Sequence, residues 1–202
     1  MSKKLYLSAQ DLLEDSWELA ARIIEDDFRP NIIIAIWRGG TPIGIAVQEM
    51  LAYFGVAADH IAIRTSSYSG IDERSHDVRV HGLNYIVKRV VDSDRLLIVD
   101  DVFDTGHTID AVISELRRKA RRNTPGDIRV AVPWYKPTRN ETASEPDYYI
   151  HTTDRWLKFP HSLEGLTPDE VRTRRPDLFD VIAPALSQPE DNRRGGEAGM
   201  AP

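Results

Sequence analysis

Two short, uninterrupted apolar runs constrain this chain more than any other feature. Residues 32–37 read IIIAIW and residues 95–100 read RLLIVD. Neither alternates apolar with polar, so each suits a strand covered on both faces, as in a parallel sheet. His60–Arg64 (HIAIR), Ile128–Trp134 (IRVAVPW) and Tyr148–His151 (YYIH) read as further strands.

Helices fall between them. The first 28 residues read as an amphipathic helix, with Ser8 as its cap and Asp11 at N3 reaching back. Leu12, Leu13, Trp17, Ala20, Ala21 and Ile24 form its apolar stripe, and Pro30 ends it. Thr41-Pro42 reads as an N-cap with proline at the first helical position, opening a helix to Phe54 that Gly55 stops. Ile109, Val112, Ile113 and Leu116 mark another helix, ending in the basic turn RRKARR, which complements the helix dipole. A capping box at Thr167–Glu170 starts a short helix to about Arg174. Residues 65–82 are polar and weakly patterned and read as a long loop or flexible hairpin; loops of that length are usually functional. Residues 187–202 read as a disordered tail.

Strands alternating with helices predict an α/β fold with a mainly parallel central sheet flanked by helices. Ligands of such sheets sit at the carboxyl ends of the strands. The candidate residues follow strand ends: Arg38, Ser66–Tyr68, Asp100–Thr108 and Lys136.

Composition narrows the class. A length of 202 residues allows one domain, here taken as residues 1–186. A net charge of −6 disfavours long nucleic acid, which needs an extended basic face. With no cysteine there is no disulfide, thiol nucleophile or cysteine-ligated metal. No apolar run approaches the ~18 residues a membrane span needs, so a cytoplasmic protein with no membrane partner is expected.

The most informative string is Asp100-Asp101-Val102-Phe103-Asp104-Thr105-Gly106-His107-Thr108. Two adjacent acids end an apolar strand, and neighbouring strand side chains point to opposite faces. Gly106 permits a tight turn, and N–H groups at the following helix start form an anion nest. Carboxylates beside such a nest hold hydroxyls and Mg²⁺, which takes oxygen ligands and keeps several waters. Read in isolation, Asp101 and Asp104 could instead cap a turn, with Gly106 serving geometry alone.

The full string resembles the phosphoribosyl-diphosphate (PRPP) binding motif of type I phosphoribosyltransferases. Arg38-Gly39-Gly40 resembles the diphosphate loop of the bacterial xanthine–guanine and hypoxanthine branch, Ser66-Ser67-Tyr68 its mobile catalytic loop, Lys136-Pro137 its purine lysine, and Asp154–Leu157 its base-stacking hood. The resemblance covers residues ~30–162, with every motif in order. It implies the type I fold, with a small hood from elements near 1–10 and 136–166 and a C-terminal extension. It further implies Mg²⁺-dependent transfer of phosphoribose from PRPP to a 6-oxopurine, in a homodimer or homotetramer.

The resemblance also assigns roles. Asp104 becomes the base for the purine ring nitrogen, with Arg38, Ser67 and Tyr68 as its catalytic companions. Asp100 and Asp101 bind ribose hydroxyls and Mg²⁺, and Thr105, Gly106, His107 and Thr108 cradle the 5′-phosphate. Arg38 and Gly39 hold diphosphate, Lys136 donates to the 6-oxo group, and Trp156 stacks on the base, with backbone near Leu157 reading its edge. Two positions depart from the pattern: His107 replaces a small or basic residue, and Lys158–Ser162 lacks the branch's acidic and tryptophan residues. Rival readings are a signalling receiver domain, a PRPP- or nucleotide-sensing regulator on the same fold, and a phosphoribosyltransferase for another nucleobase.

The remaining polar and aromatic residues read as structural. His76 and His81 are expected to be solvated loop residues. Trp134 and Tyr135 are expected to pack at a strand end, and Arg117–Arg122 to be a solvated helix terminus.

Overall fold

A computed structural model describes residues 4–67 and 78–187. The strands are β1 (Leu5–Tyr6), β2 (Ile32–Trp37), β3 (Asp59–Ser67), β4 (Val78–His81), β5 (Arg95–Val99), β6 (Val102–Phe103), β7 (Asp127–Tyr135), β8 (Tyr148–Thr152) and β9 (Leu157–Lys158). The helices are α1 (Ala9–Glu25), α2 (Gly40–Tyr53), α3 (Asn84–Val87), α4 (His107–Ala120), α5 (Pro168–Arg174) and α6 (Pro176–Leu186). The chain forms two compact units, which meet in sequence between His161 and Ser162.

In the first unit the order across the main sheet is β4-β3-β2-β5-β7, with β8 on the far side of β7. β6 continues along the edge of β7 that β5 occupies: β5 pairs with Asp127–Ala131 and β6 with Trp134–Tyr135. Every pairing is parallel except β3 with β4. The parallel strands therefore end along one edge, as the apolar runs predicted. A small parallel pair, β1 with β9, forms a second sheet.

Alternation along the strands divides the core. Ile33, Leu97 and Val99 face α1 and α2, together with Leu157 of the small sheet and Phe159 just after it. Ile32, Ile34, Ile36, Leu96 and Ile98 face α3 and α4. Both sheet faces are covered, which explains why the central strands carry no polar positions.

The capping box at Ser8 and Asp11 is present. The buried face of α1, however, is Leu12, Ser16, Leu19, Ala20 and Ile23, while Leu13 and Trp17 stay exposed. Ser16 belongs to the inner face because its hydroxyl donates to the Leu12 carbonyl at 2.6 Å and so needs no water.

Thr41 is not the cap of α2. The helix opens at Gly40 after Gly39, and the Thr41 hydroxyl is buried without a hydrogen-bond partner. The Gly40 backbone instead packs against Val99 and Asp100 at the end of β5, so a tertiary contact sets where α2 starts. Gly55 closes the helix end at φ 80°. The polar stretch from residue 65 includes the end of β3 and all of β4, paired from Arg64↔His81 to Ser67↔Val78. That pairing makes it a hairpin whose tip lies outside the described residues.

In the second unit, α5 carries the expected capping box of Thr167 and Glu170. It is followed by α6, which the sequence reading lacked, and the Arg172 guanidinium lies 4.6 Å over the Phe179 ring. From residue 188 on, the expected tail lies outside the described residues.

Candidate active site

The end of β5 and the turn after β2 are in backbone contact. A Cβ added to Gly40 would lie 2.4 Å from the Val99 carbonyl oxygen and 2.8 Å from the Asp100 Cα. One added to Gly39 would meet the Asp101 carboxylate at 1.8 Å. No real Cβ tolerates either approach, so both glycines are there for closeness. Arg38 sits exposed beside them.

Asp100 is buried and accepts the Asp101 N–H at 2.9 Å. Burial, reinforced by the neighbouring Asp101 charge, pushes its carboxyl well above the usual carboxylate range, against the pull of the Asp101 and Gly40 N–H donors. Asp101 keeps a partly exposed side chain, with the His161 Nε2 3.7 Å from one of its oxygens.

Asp104 and Lys136 are 32 positions apart in sequence but adjacent in register. Phe103 pairs with Tyr135, and the Lys136 N–H donates to the Phe103 carbonyl at 2.9 Å. The next residue on each strand is therefore Asp104 or Lys136, and the Lys136 Nζ lies 2.9 Å from one Asp104 oxygen. Pro137 starts a single 3-10 turn that brings the Arg139 guanidinium to the other oxygen. Arg139 is a site residue that the sequence reading missed. Its only advance signal was a second cation three positions after Lys136.

Gly106 adopts φ 86°, a left-handed conformation that side chains avoid, and α4 starts at the next residue. The first-turn N–H groups of α4, from His107 and Thr108 onward, point out of its N-terminus. Thr142 and Asn140 crowd Gly106 from outside: an added Cβ would lie 2.3 Å from the Thr142 hydroxyl. The Glu141 N–H donates to the Thr105 carbonyl at 3.0 Å, and its carboxylate sits 2.8 Å from the His107 Nε2. The departure at residue 107 therefore has a partner, Glu141, that the sequence reading did not name.

On the hood side Trp156 is half-exposed and Leu157 buried, beside buried Lys158. Ser66 approaches His81 across the hairpin at 3.3 Å. Ser67 ends β3, and Tyr68 and His76 lie outside the described residues. Trp134 and Tyr135 are packed in the core, and Arg118 and Lys119 of the basic run pair with Glu115.

Among the described residues no three or more His, Cys, Asp or Glu side chains converge on a metal position. The donor set still suits Mg²⁺, which commonly takes one or two protein carboxylates and completes its shell with water and substrate phosphates. Asp101, partly exposed beside the Gly39 turn, is the more accessible of the two acids. Among the described residues no helix is long and apolar enough to cross a membrane.

A glycine-tight turn, an acid-rich strand end and a left-handed glycine opening a helix, all on the carboxyl edge of a parallel sheet, define an α/β protein whose strand ends are shaped to suit an anionic ligand. The chain belongs to the phosphoribosyl transferase domain family, whose sequence model matches residues 4–169, and it has the type I fold. It resembles the crystal structure of a purine phosphoribosyltransferase from Pyrococcus horikoshii, at 28% identity over 81% of this chain and 97% of that one, with a TM-score of 0.65. A Neisseria gonorrhoeae protein with bound ppGpp shares the fold at 21% identity, over 92% and 98% of the chains and with a TM-score of 0.66. So does the Helicobacter pylori xanthine-guanine-hypoxanthine phosphoribosyltransferase, at 15% identity over 91% and 99% with a TM-score of 0.62. Among curated proteins none matches the sequence.

Proposed function

We propose that the protein transfers phosphoribose from PRPP to a 6-oxopurine, releasing diphosphate. The observation that carries this reading is the Asp104–Lys136 pair, set beside the half-exposed Trp156 ring and two residues before the left-handed glycine that opens α4. A proton acceptor, a donor for an oxo group, a stacking surface and a phosphate-binding helix start are thus contiguous.

Replacing diphosphate at the anomeric carbon by a ring nitrogen passes through an oxocarbenium-like state, as in glycoside transfer. Backbone N–H groups of residues 105–108 and the Thr105 and Thr108 hydroxyls would hold the 5′-phosphate. Asp100, inclined to keep its proton, suits a hydrogen bond to a ribose hydroxyl, and Arg38 with the Gly39 N–H would draw charge from the leaving diphosphate. Mg²⁺, when bound through Asp101, would neutralise diphosphate oxygens.

Asp104 would take the ring-nitrogen proton as the new bond forms. With one cation on each oxygen, it accepts a proton only when a contact yields. Arg139 is the contact that water can replace, since 48% of its side chain is exposed against 5% for Lys136. The Neisseria protein's ppGpp favours a second reading, a nucleotide-sensing protein on the same fold.

Diphosphate release from PRPP, followed with hypoxanthine, guanine, xanthine and adenine in parallel, decides between them. Release with an oxopurine is expected, and silence with every base would remove the transferase. Asp104→Asn is expected to lower turnover by roughly 10²–10⁴-fold while PRPP still binds; unchanged turnover would end its role as base.

A further inference from the structure

One stretch of chain grips the turn into α4 from outside. Residues 140–144 come directly after Arg139, the partner of Asp104, and lie along residues 105–110. The Glu141 N–H donates to the Thr105 carbonyl at 3.0 Å, and the His107 Nε2 donates to the Glu141 carboxylate at 2.8 Å. Further on, the Ser144 hydroxyl donates to the Asp110 carboxylate at 2.8 Å. Between these contacts the Thr142 side chain fills the space that a Gly106 side chain would need.

The stretch has its own internal brace. The Asn140 side-chain oxygen accepts from the Thr142 N–H at 3.0 Å, and its side-chain nitrogen donates to the Ser144 carbonyl at 2.8 Å. A folded strap therefore meets the turn at fixed points.

Glu141 has the wrong charge for its place. A carboxylate beside an anion cradle repels the anion and competes with it for the positive end of the helix. It stands there for what it holds. Backbone N–H groups bind an anion well when they converge before it arrives. Glycine at φ 86° lets the turn form, and the same freedom lets it open. Glu141 closes the turn on both sides of Gly106, with its backbone on Thr105 and its side chain on His107.

We infer that Glu141 is a positioning residue that preorganises the 5′-phosphate cradle through His107, so that removing this acid weakens phosphate binding. This rests on the phosphoribosyl-transfer reading above and uses only its PRPP end.

The test is the Kd for PRPP by calorimetry, with inhibition by free diphosphate as a probe of the other end of the site. The chains compared are wild type, Glu141→Ala, Glu141→Gln, His107→Ala and the Glu141→Ala/His107→Ala double variant. Loss of a repelling charge alone would tighten PRPP binding, so the sign of the change decides. Glu141→Ala is expected to raise the Kd about three- to fivefold. Glu141→Gln is expected to stay near wild type, because an amide oxygen still accepts from His107. His107→Ala should match Glu141→Ala, and the double variant should lose no more than either. Diphosphate inhibition is expected to hold in all of them. The thermal midpoint should barely move, since 55% of the Glu141 side chain is exposed. Unchanged or tighter PRPP binding in Glu141→Ala, an equal loss in Glu141→Gln, additive losses in the double variant, or a matching loss of diphosphate inhibition overturns the inference. A wild-type chain that binds no PRPP overturns the transferase reading itself.

Discussion

The glycine turn and the Asp104 cluster of the candidate site are built by different means. At the turn after β2, Gly40 meets the Val99 carbonyl backbone to backbone and Gly39 meets the Asp101 carboxylate. Around Asp104, long side chains converge: Lys136 and Arg139 on Asp104, and Lys136 and Lys158 around Trp156. Closeness to backbone leaves one allowed residue type, closeness to a side chain depends on whether that side chain can move, and converging side chains leave several. The contrast predicts fragile positions at the glycine turn and tunable ones around Asp104.

Gly40→Ala should give the largest effect. Its Cβ collides with backbone that cannot rotate away, so about 3 kcal/mol of stability is expected to go. In a chain this size that lowers the thermal midpoint by roughly 6–12 °C. An unchanged midpoint would show that the two backbones separate easily and would erase the contrast.

Gly39→Ala comes next. Its Cβ meets a side chain that can swing, so the fold should survive while Asp101 is displaced. Thermal denaturation close to wild type, with diphosphate release down at least tenfold, is the expected pair of results. A fall in stability matching that of Gly40→Ala would mean that Asp101 is locked in place.

Trp156→Ala should be mildest for stability, within about 0.5 kcal/mol, because the ring is half-exposed. Its effect should appear in the KM for the base and not in the KM for PRPP. A rise in both would place Trp156 in the scaffold instead of the base site.

Much of this was readable in the sequence because it is local. The strand of residues 32–37 needed only its composition, the start of α1 needed Ser8 and Asp11, and the turn into α4 needed Gly106. The errors came where a distant residue decided. Thr41 looked like a cap, but the helix opens one residue earlier, where the Gly40 backbone meets Val99 and Asp100. Leu13 and Trp17 fit the helical stripe, but the neighbouring elements cover the row through Leu12, Ser16 and Leu19. β6, two residues long, carries no periodicity at all, yet its register with β7 puts Asp104 beside Lys136.

By itself the sequence determined the parallel sheet and the glycines and acids that stand at its carboxyl edge. Burial on two faces, left-handed backbone and strand-end acids all leave marks in short windows. Only the tertiary structure decided which charges meet. Arg139 on Asp104, Glu141 on His107 and Lys158 at Trp156 depend on register and turn geometry, and the energy of an ion pair depends on separation in space and not on separation along the chain.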